Sequence, residues 1–390
     1  GGIAARAQDE RIALAHGLVG QETVGAGGCA GALRNLRAML GYGRMARQRA
    51  PEATIVNFTN PVGIVSEAML RLGARIVGVC DTPLETFEQI ARALGRDPFT
   101  LWFDYLGLNH LGWIRAIREG GPGGADLLPE LLRDAERLRR CYRHGLFPPE
   151  FLQSLGVLPT EYLYFYYFSA LARQNTEHSQ TSRGAAIEGL NQELFRQLAG
   201  APEARLIAIY EDYLRRRNAS YFSIEATGGQ RREDDRPLYS RFSGYERIAV
   251  LLLTALVAER PMAVPLTVRN DAGGMVALTD LEPSDAVELP CQVSRYGIEP
   301  ARPGAAPEAV RGLLLRVKRY ERLVAEAALS GRRELALEAL EVNPLVGRQA
   351  AAPVLAAYEA TFGAALGLGN ASASAGAPEG GSNAAMTPLR

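Results

Sequence analysis

The sequence of 390 residues has no excess of either charge, few cysteines and no long apolar run. Lysine plus arginine and aspartate plus glutamate each number 43, so the charge balance gives no reason to expect a nucleic acid or a membrane surface as partner. No apolar stretch approaches the ~20 residues needed to span a bilayer. The four cysteines are scattered and follow no signal-peptide pattern, so we expect reduced thiols and a cytoplasmic protein.

A nucleotide-binding strand with its glycine fingerprint is also missing from the first residues. Sheets that bind dinucleotides normally begin with a strand and a glycine-rich turn, which receives the phosphates. The sequence instead starts at Gly1 without a methionine, and residues 3–13 have the pattern of a helix with a polar face. We therefore expect a chain that enters this type of domain after its first strand.

Length and composition indicate a folded protein of about two domains. Hydrophobic residues make up 47% and charged residues 22% of the chain, as in ordinary globular proteins. The stretch GGPGG at residues 120–124 is typical of turns and marks the predicted boundary. We predict the remainder of a dinucleotide-binding domain over residues 1–119, an α+β domain for substrate and metal over 120–366, and a disordered tail over 367–390.

A strand, a helix and a second strand are predicted between residues 55 and 83. Residues 55–61 and 75–83 are apolar runs that end in polar residues and a proline, and residues 62–72 have helical apolar spacing. This order predicts parallel strands joined by a right-handed crossover. The predicted fold class is α/β, a Rossmann-like parallel sheet followed by an α+β lobe. Within that lobe, residues 263–268, 275–278 and 286–289 are predicted strands of a small antiparallel sheet.

Polar side chains follow the ends of the predicted parallel strands. Asn60 follows the first strand, Cys80 and Asp81 follow the second, and His110 follows a third apolar stretch. Ligands of open parallel sheets bind beyond the carboxyl ends of the strands, so these side chains are expected to line one crevice. A thiol, a carboxylate and an imidazole can hold a divalent metal and leave positions open for substrate. Burial of Cys80 and His110 as ordinary core residues explains the pattern equally well.

A glycine-rich segment over residues 20–28 precedes a helix predicted from about Cys29. Glycines before a helix expose backbone N–H groups, which suit a cofactor phosphate. A plain connecting loop is the alternative.

Two later segments carry further candidates. Tyr162 lies in an aromatic segment, residues 158–168, whose rings are expected mainly to pack in the core. A tyrosine close to a metal could instead act as a base, because a nearby cation favours the phenolate. Arg183 stands just before a predicted helix whose first turn could hold an anion, so it is a candidate to bind a phosphate or carboxylate. A surface ion pair is the simpler interpretation of an isolated arginine.

Seven segments resemble family 4 of the glycoside hydrolases, in particular its 6-phospho-β-glucosidase branch. They occur in the order found in the family and extend over most of the chain. The segments are DERIALAHGLVGQETVGAGG, NFTNPVGIVSEAML, GVCDTP, GLNHLGW, LPTEYLYFYY, GYERIAV and VELPC. The resemblance implies a fold of the lactate and malate dehydrogenase type, NAD and Mn²⁺ as cofactors, and assembly into a homodimer or homotetramer.

The resemblance also implies the roles of the site residues. Cys80 and His110 match the metal-ligand positions, Tyr162 matches the catalytic base, and Asp81 matches the acid of some members. The implied substrate is a phosphorylated disaccharide or glucoside.

Five other residues are implied as contacts of substrate and cofactor. Asn60 matches a substrate-binding asparagine, and Arg183 matches a contact to the substrate phosphate. Gln21, Glu22 and Thr23 are expected to line the cofactor crevice.

The implied reaction differs from the two-carboxylate scheme of most glycosidases. NAD takes hydride from C3 of the sugar, and the metal polarises the resulting ketone so that a tyrosinate can remove the C2 proton. Elimination then expels the leaving group from C1, water adds to the unsaturated intermediate, and the first steps reverse.

Three alternatives stay open on the sequence. The β branch often has Asn at the position of Asp81, whereas Asp there is familiar from the 6-phospho-α-glucosidase branch. A 2-hydroxy-acid or sugar dehydrogenase of the same fold would pair a histidine with an aspartate and need no cysteine ligand. An inactive fragment, which binds NAD poorly or not at all, is the third, because the family's first strand, its glycine fingerprint and an arginine expected just before Gly1 are missing.

Overall fold

The computed structural model describes residues 2–227 and 245–369, which contain one sheet of eight strands flanked by helices. The strands are β1 (Ile55–Asn57), β2 (Ile76–Gly78), β3 (Leu101–Leu108), β4 (Leu111–Glu119), β5 (Leu158–Pro159), β6 (Met262–Arg269), β7 (Ala286–Ser294) and β8 (Gly297–Pro300). Their order across the sheet is β1-β2-β6-β7-β3-β4-β5, and β8 pairs with β7.

Sixteen α-helices of the described residues surround this sheet. They are α1 (Ile3–Ala15), α2 (Gly25–Arg49), α3 (Val62–Arg71), α4 (Thr82–Leu94), α5 (Leu128–Arg133), α6 (Ala135–Arg140), α7 (Pro149–Leu155), α8 (Tyr164–Tyr167), α9 (Ser169–Ser179), α10 (Arg183–Ala199), α11 (Leu206–Ala219), α12 (Ser223–Thr227), α13 (Tyr245–Val257), α14 (Glu308–Ser330), α15 (Arg333–Val342) and α16 (Arg348–Phe362). None of the described helices is long and apolar enough to cross a membrane.

The predicted strand–helix–strand unit is confirmed. β1 and β2 pair in parallel, with Ile55 opposite Ile76 and Asn57 opposite Gly78, and α3 connects them. The predicted α/β fold class is therefore confirmed in this part of the sheet. The other strand pairs of the sheet are antiparallel.

Two of the three strands predicted for a small antiparallel sheet, at residues 263–268 and 286–289, are confirmed and pair antiparallel with each other as β6 and β7, but they do not form a sheet of their own. β6 pairs with β2 through Thr267 and Gly78, and β7 pairs with β3 through Glu288 and Gly107, so both strands lie in the middle of the one sheet. Nearly every residue of β7 is buried, as expected for a strand covered on both faces. Residues 275–278 form no strand, and Leu278 makes only an isolated bridge.

The sheet thus joins strands from both sides of the predicted domain boundary at residues 119 and 120. The boundary itself stays a prediction. Most of the predicted tail, from residue 370 onward, lies outside the described residues.

Helix α2 begins earlier than its glycine content led us to predict. It starts at Gly25, so the glycines belong to its first turns and not to an open loop. A Cβ atom added to Gly27 would lie 2.2 Å from the carbonyl oxygen of Gln21, and one on Gly28 would lie 2.6 Å from that of Thr23. Glycine is needed here because the preceding chain packs directly on the helix backbone.

A buried group of charges joins the sheet to two helices. Lys318 of α14 is 1% exposed, and its Nζ lies 3.1 Å from Glu67 Oε2 on α3 and 2.6 Å from Glu321 Oε2. The Lys318 ammonium also donates to the carbonyl oxygen of Ala286 at 2.7 Å, and the Ala286 N–H donates to Glu67 at 2.8 Å. One cation between two carboxylates therefore ties α3, α14 and β7 together.

We predict that Lys318→Met lowers the free energy of unfolding by about 3–5 kcal/mol, because it leaves the buried Glu321 without its cation and Glu67 with Arg71 alone. Arg319→Met is the matched control, since Arg319 is 62% exposed and its pair with Glu338 lies at the surface. We expect this control to cost less than about 1 kcal/mol. Urea denaturation followed by circular dichroism measures both, and equal losses in the two variants would contradict the prediction.

Candidate active site

One edge of the sheet, beyond the ends of β1 and β2, carries three of the predicted residues, namely Asn60, Cys80 and Asp81. The Val79 N–H donates to the Asn57 carbonyl oxygen at 3.0 Å, which extends the parallel pairing to the residue before Cys80. Asn60 precedes a cis peptide bond to Pro61, and its carbonyl oxygen accepts a hydrogen bond of 2.7 Å from Asn35 of α2. The ends of both strands are thus held side by side, as predicted from the strand–helix–strand unit.

Cys80 and Asp81 form the next part of the crevice. Cys80 is a free thiol that is 2% exposed, and its Sγ lies 3.9 Å from Asp81 Oδ1. Burial, with the nearby carboxylates of Asp81 and Glu288, raises the pKa of the Cys80 thiol well above its usual value. Asp81 is half-buried just before α4, and desolvation together with Glu85 raises its pKa to about 6, while the positive charge of Arg183 opposes the shift. These residues therefore share one electrostatic environment.

His110 and Tyr162 stack on each other. His110 lies in the turn between β3 and β4 with φ of 62°, a left-handed conformation that is uncommon outside glycine. Its ring lies 3.9 Å from that of Tyr162, with an angle of 5° between the ring planes. The pairing of β5 with β4 brings the aromatic segment to this turn. Burial lowers the pKa of His110 to about 3, so the imidazole is neutral at physiological pH.

The sequence analysis missed Arg6, which is close to the predicted base. The Arg6 guanidinium lies 2.9 Å from Glu22 Oε1 and 3.2 Å from Glu10 Oε1. Although burial lowers the pKa of Arg6, the negative charges of Glu22, Glu10 and ionised Tyr162 raise it overall. A cation near a phenol favours the phenolate. The helical pattern around Arg6 gave no signal that this side chain would face Tyr162.

The predicted cofactor residues hydrogen-bond within their own segment. Gln21 Oε1 accepts from the backbone N–H of Thr23 at 2.6 Å and from its hydroxyl at 2.9 Å. Both side chains are buried, whereas Glu22 pairs with Arg6. The roles of Gln21, Glu22 and Thr23 in cofactor binding stay predictions.

Arg183 is the first residue of α10, but a protein carboxylate already lies at the start of that helix. Glu10 Oε2 accepts a hydrogen bond of 2.6 Å from the Gly184 N–H, and the Ser182 hydroxyl caps the same turn. The Arg183 guanidinium lies over the Tyr221 ring, 4.5 Å from its centre. Its buried Nε has no hydrogen-bond partner among the described residues. The helix thus positions Arg183, whose free donor is available to an anion.

The donor chemistry of Cys80 and His110 suits a divalent transition metal. A neutral imidazole is the form that binds a metal, and a thiol becomes a ligand when it loses its proton. Within residues 2–227 and 245–369, no three His, Cys, Asp or Glu side chains are grouped so that they could hold an ion. A metal at this place would therefore take two donors from these residues and the others from water or substrate, and the assignment of Cys80 and His110 stays a prediction.

Glu161, next to the predicted base, is a second residue that the sequence analysis did not single out. Its side chain is 1% exposed, and its Oε1 accepts a hydrogen bond of 2.9 Å from Gln89 Nε2. Its Oε2 is buried and has no hydrogen-bond partner in the described part of the chain. Burial, reinforced by Glu85 and opposed by Arg143, raises the pKa of Glu161 to about 7.

Sequence comparison relates most of the chain to one group of enzymes. The sequence model described as family 4 glycosyl hydrolase matches residues 1–96, and that of the family 4 C-terminal domain matches residues 105–346. A probable 6-phospho-beta-glucosidase of Bacillus subtilis is 30% identical over 352 residues, which are 88% of this chain and 72% of that protein. The phospho-alpha-glucosidase PagL of Clostridium acetobutylicum is 28% identical over 361 residues, 89% of this chain and 75% of that protein.

Structural comparison gives the same relationship. The 6-phospho-beta glucosidase of Thermotoga maritima, solved with manganese, NAD+ and glucose-6-phosphate, matches with a TM-score of 0.66 and 25% sequence identity. The match covers 92% of this chain and 78% of that one.

The buried carboxyl of Glu161 leads to a prediction about pH. The pKa of Glu161 is raised in the folded protein, so between about pH 4.5 and 7 the folded state keeps a proton that the unfolded state has lost. The free energy of unfolding therefore falls as the pH rises through this range. We expect Glu161→Gln to leave unfolding unchanged near pH 5 and to stabilise the protein by roughly 1–3 kcal/mol at pH 8. Thermal unfolding at both pH values tests this, with the exposed Glu136→Gln as control. A difference that does not depend on pH would refute the assignment.

Proposed function

The chain belongs to family 4 of the glycosyl hydrolases and is a glycosidase, and we propose that it hydrolyses 6-phosphoglucosides with NAD and a divalent metal such as Mn²⁺. The observation that carries the proposal is the stacked pair of His110 and Tyr162, the predicted metal ligand and the predicted base. The charges of Asp81 and Arg183 that act on the second strand end at Cys80 and Asp81 support it. The relatives named above act on phosphoglucosides, and one was solved with both cofactors and glucose-6-phosphate.

Tyr162 is the proposed base. NAD, when bound, supplies a hydride acceptor for C3 of the sugar, and the metal supplies a Lewis acid that makes the C2 proton acidic. Tyr162 Oη then takes that proton, because Arg6 is close enough to favour the phenolate and the parallel His110 ring fixes the orientation of the phenol. The stacked imidazole also excludes water from one face of the ring.

Asp81 is the proposed proton donor to the leaving group at C1. Its pKa is raised to about 6 by desolvation and by Glu85, so a fraction of this carboxyl keeps its proton near neutral pH. Arg183, whose charge acts on Asp81, limits the shift and keeps the carboxylate accessible for the reverse transfer.

The substrate phosphate is assigned to the arginines on the other side of the crevice. Arg183 has a free Nε donor and is held by the start of α10 and by the Tyr221 ring. Arg6 also has a buried nitrogen, NH2, without a partner among the described residues. Two guanidinium groups with spare donors suit a phosphate dianion. Asn60, at the end of β1, is the proposed contact to a sugar hydroxyl.

A 6-phospho-α-glucosidase is the second candidate within the same family. Asp81 is the observation that favours it, because the resemblance associates this residue with the α branch. The curated relatives include both specificities. Removal of the C2 proton and addition at C1 can serve either anomer, so the choice depends on how the crevice holds the aglycone.

The activity is tested with p-nitrophenyl 6-phospho-β-glucoside and its α-anomer, each with and without NAD and Mn²⁺. We expect release of p-nitrophenol only when both additives are present, and a faster rate with the β-anomer. Release that needs neither additive would contradict the proposed chemistry. A faster rate with the α-anomer would establish the second candidate. Unphosphorylated p-nitrophenyl glucosides are the control for the role of the phosphate.

The role of Tyr162 is tested by exchange of the C2 proton with solvent deuterium. We expect Tyr162→Phe to lower the exchange rate by about 10²–10⁴-fold, the usual contribution of a positioned base. Tyr167→Phe is the matched control, because the Tyr167 hydroxyl accepts a hydrogen bond from Trp113 at 3.0 Å and lies in the same aromatic segment. Unchanged exchange in Tyr162→Phe would move the base to another residue.

A further inference from the structure

Glu288 belongs to the VELPC segment and lies in the part of the sheet that carries the candidate site. Neither the proposed mechanism nor the family resemblance assigns it a role. It is 2% exposed and lies in the middle of β7. On one side it pairs with Thr267 of β6, which pairs with Gly78 two residues before Cys80. On the other side it pairs with Gly107 of β3. One row across the sheet therefore connects Glu288 to the two strands whose ends carry the predicted metal ligands.

The Glu288 carboxyl group is held by neutral donors only. The Tyr105 hydroxyl donates to Oε2 at 2.6 Å, and Asn109 Nδ2 donates to Oε1 at 3.2 Å. Thr267 contributes a longer contact of 3.5 Å to Oε1. No lysine, arginine or histidine of the described residues forms an ion pair with it. Burial of a carboxyl group without a cation is costly, so its retention on a central strand calls for a specific role.

Asn109 links this carboxyl group to the turn that carries His110. A Cβ atom added to Gly63 of α3 would lie 3.3 Å from Asn109 Cβ, so the side chain of Asn109 fits closely between α3 and β7. Its amide therefore has little freedom to find another partner. The hydrogen bond to Glu288 then holds the first residue of the two-residue turn.

The turn needs such a constraint because His110 has φ of 62°. A non-glycine residue in this conformation is strained and persists only where its surroundings determine it. The His110 ring in turn stacks on Tyr162 at 3.9 Å. A shift of the turn would therefore move the imidazole relative to the phenol.

We propose that Glu288 is a positioning residue, which holds His110 and Tyr162 in their stacked arrangement through its hydrogen bond to Asn109. The connection runs from β7 through the amide of Asn109 to the imidazole and then to the phenol. Its importance for turnover rests on the proposed function, because that function gives His110 and Tyr162 their roles. The geometric part concerns only the position of the turn.

The hydrogen bond can be tested by reversing its polarity. Asn109→Asp places a carboxylate against Glu288, and Glu288→Met removes the acceptor while keeping an unbranched side chain. The double variant Glu288→Gln with Asn109→Asp restores the bond, because the new amide donates where the carboxylate accepted. Its amide oxygen still accepts from Tyr105. Cys291→Ala is the matched control, since Cys291 is equally buried on β7 and its thiol donates to the Leu289 carbonyl oxygen, not to Asn109.

The primary readout is the ring-proton signal of His110 by NMR in protein with labelled histidine, assigned with His110→Gln. The sequence has 4 histidines, so few signals overlap, and the stacked Tyr162 ring shifts this signal by its ring current. The second readout is the affinity for Mn²⁺, measured by electron paramagnetic resonance of the free ion. Neither readout requires turnover.

We expect Asn109→Asp and Glu288→Met to displace the His110 signal and to weaken Mn²⁺ binding roughly 10- to 100-fold, as for residues that orient metal ligands. The double variant should return both towards the wild-type values, and Cys291→Ala should change neither. If Glu288→Met does not fold, the comparison of Asn109→Asp with the double variant decides. An unmoved signal in Asn109→Asp, or no recovery in the double variant, would overturn the proposal.

The two proposals fail in different ways. Wild-type protein that neither binds Mn²⁺ nor cleaves phosphoglucosides would refute the proposed function, and the His110 signal would still decide the role of Glu288. The positioning role alone would be refuted if wild-type protein does both and the Glu288 and Asn109 variants change neither the His110 signal nor the affinity for Mn²⁺.

Discussion

The site depends on the unbroken pairing of strands across the centre of the sheet. The row from Gly78 through Thr267 and Glu288 to Gly107 connects β2 to β3 by way of two strands that occur much later in the sequence. Residues at the ends of β2 and β3 are therefore held at fixed relative positions, although no direct hydrogen bonds join these two strands. The predicted metal site, with Cys80 and His110 from two separate strands, would require this kind of rigid scaffold, because a small displacement of either ligand would alter the coordination geometry.

Charges inside the protein are arranged in two different ways. Around Lys318, carboxylates have a cation, and the group joins α3, α14 and β7 as a structural tie. Around the site, Asp81, Glu161 and Glu288 are buried or half-buried with raised pKa values, and each is desolvated more than it is neutralised. Perturbed acids of this kind concentrate where a protein performs chemistry. Glu321 of the Lys318 group also has its pKa raised to about 7 by burial, so the bound lysine ammonium, and not the raised pKa, distinguishes that group.

The local sequence was sufficient for several parts of the site. The apolar runs that end at Asn60 and at Cys80 predicted two parallel strands, and the parallel pairing is observed. Other parts were not accessible in this way. The glycines near residue 25 looked like a loop but form the start of α2, because the chain before them packs on the helix backbone. β6 and β7 looked like a separate sheet, since their own pattern does not record which strands they will join.

By itself, the sequence determined the strand–helix–strand unit over residues 55–83 and the family, because these follow from short-range periodicity and from unusual strings of residues. Only the tertiary structure decided that Arg6 pairs with Glu22, that Glu10 occupies the start of α10, and that Glu288 accepts a hydrogen bond from Asn109. Each of these contacts joins residues that are distant in the chain, through side chains whose identity alone is compatible with a solvated surface. The direction in which these side chains point is set by how the helices pack on the sheet, and no local sequence pattern encodes that packing.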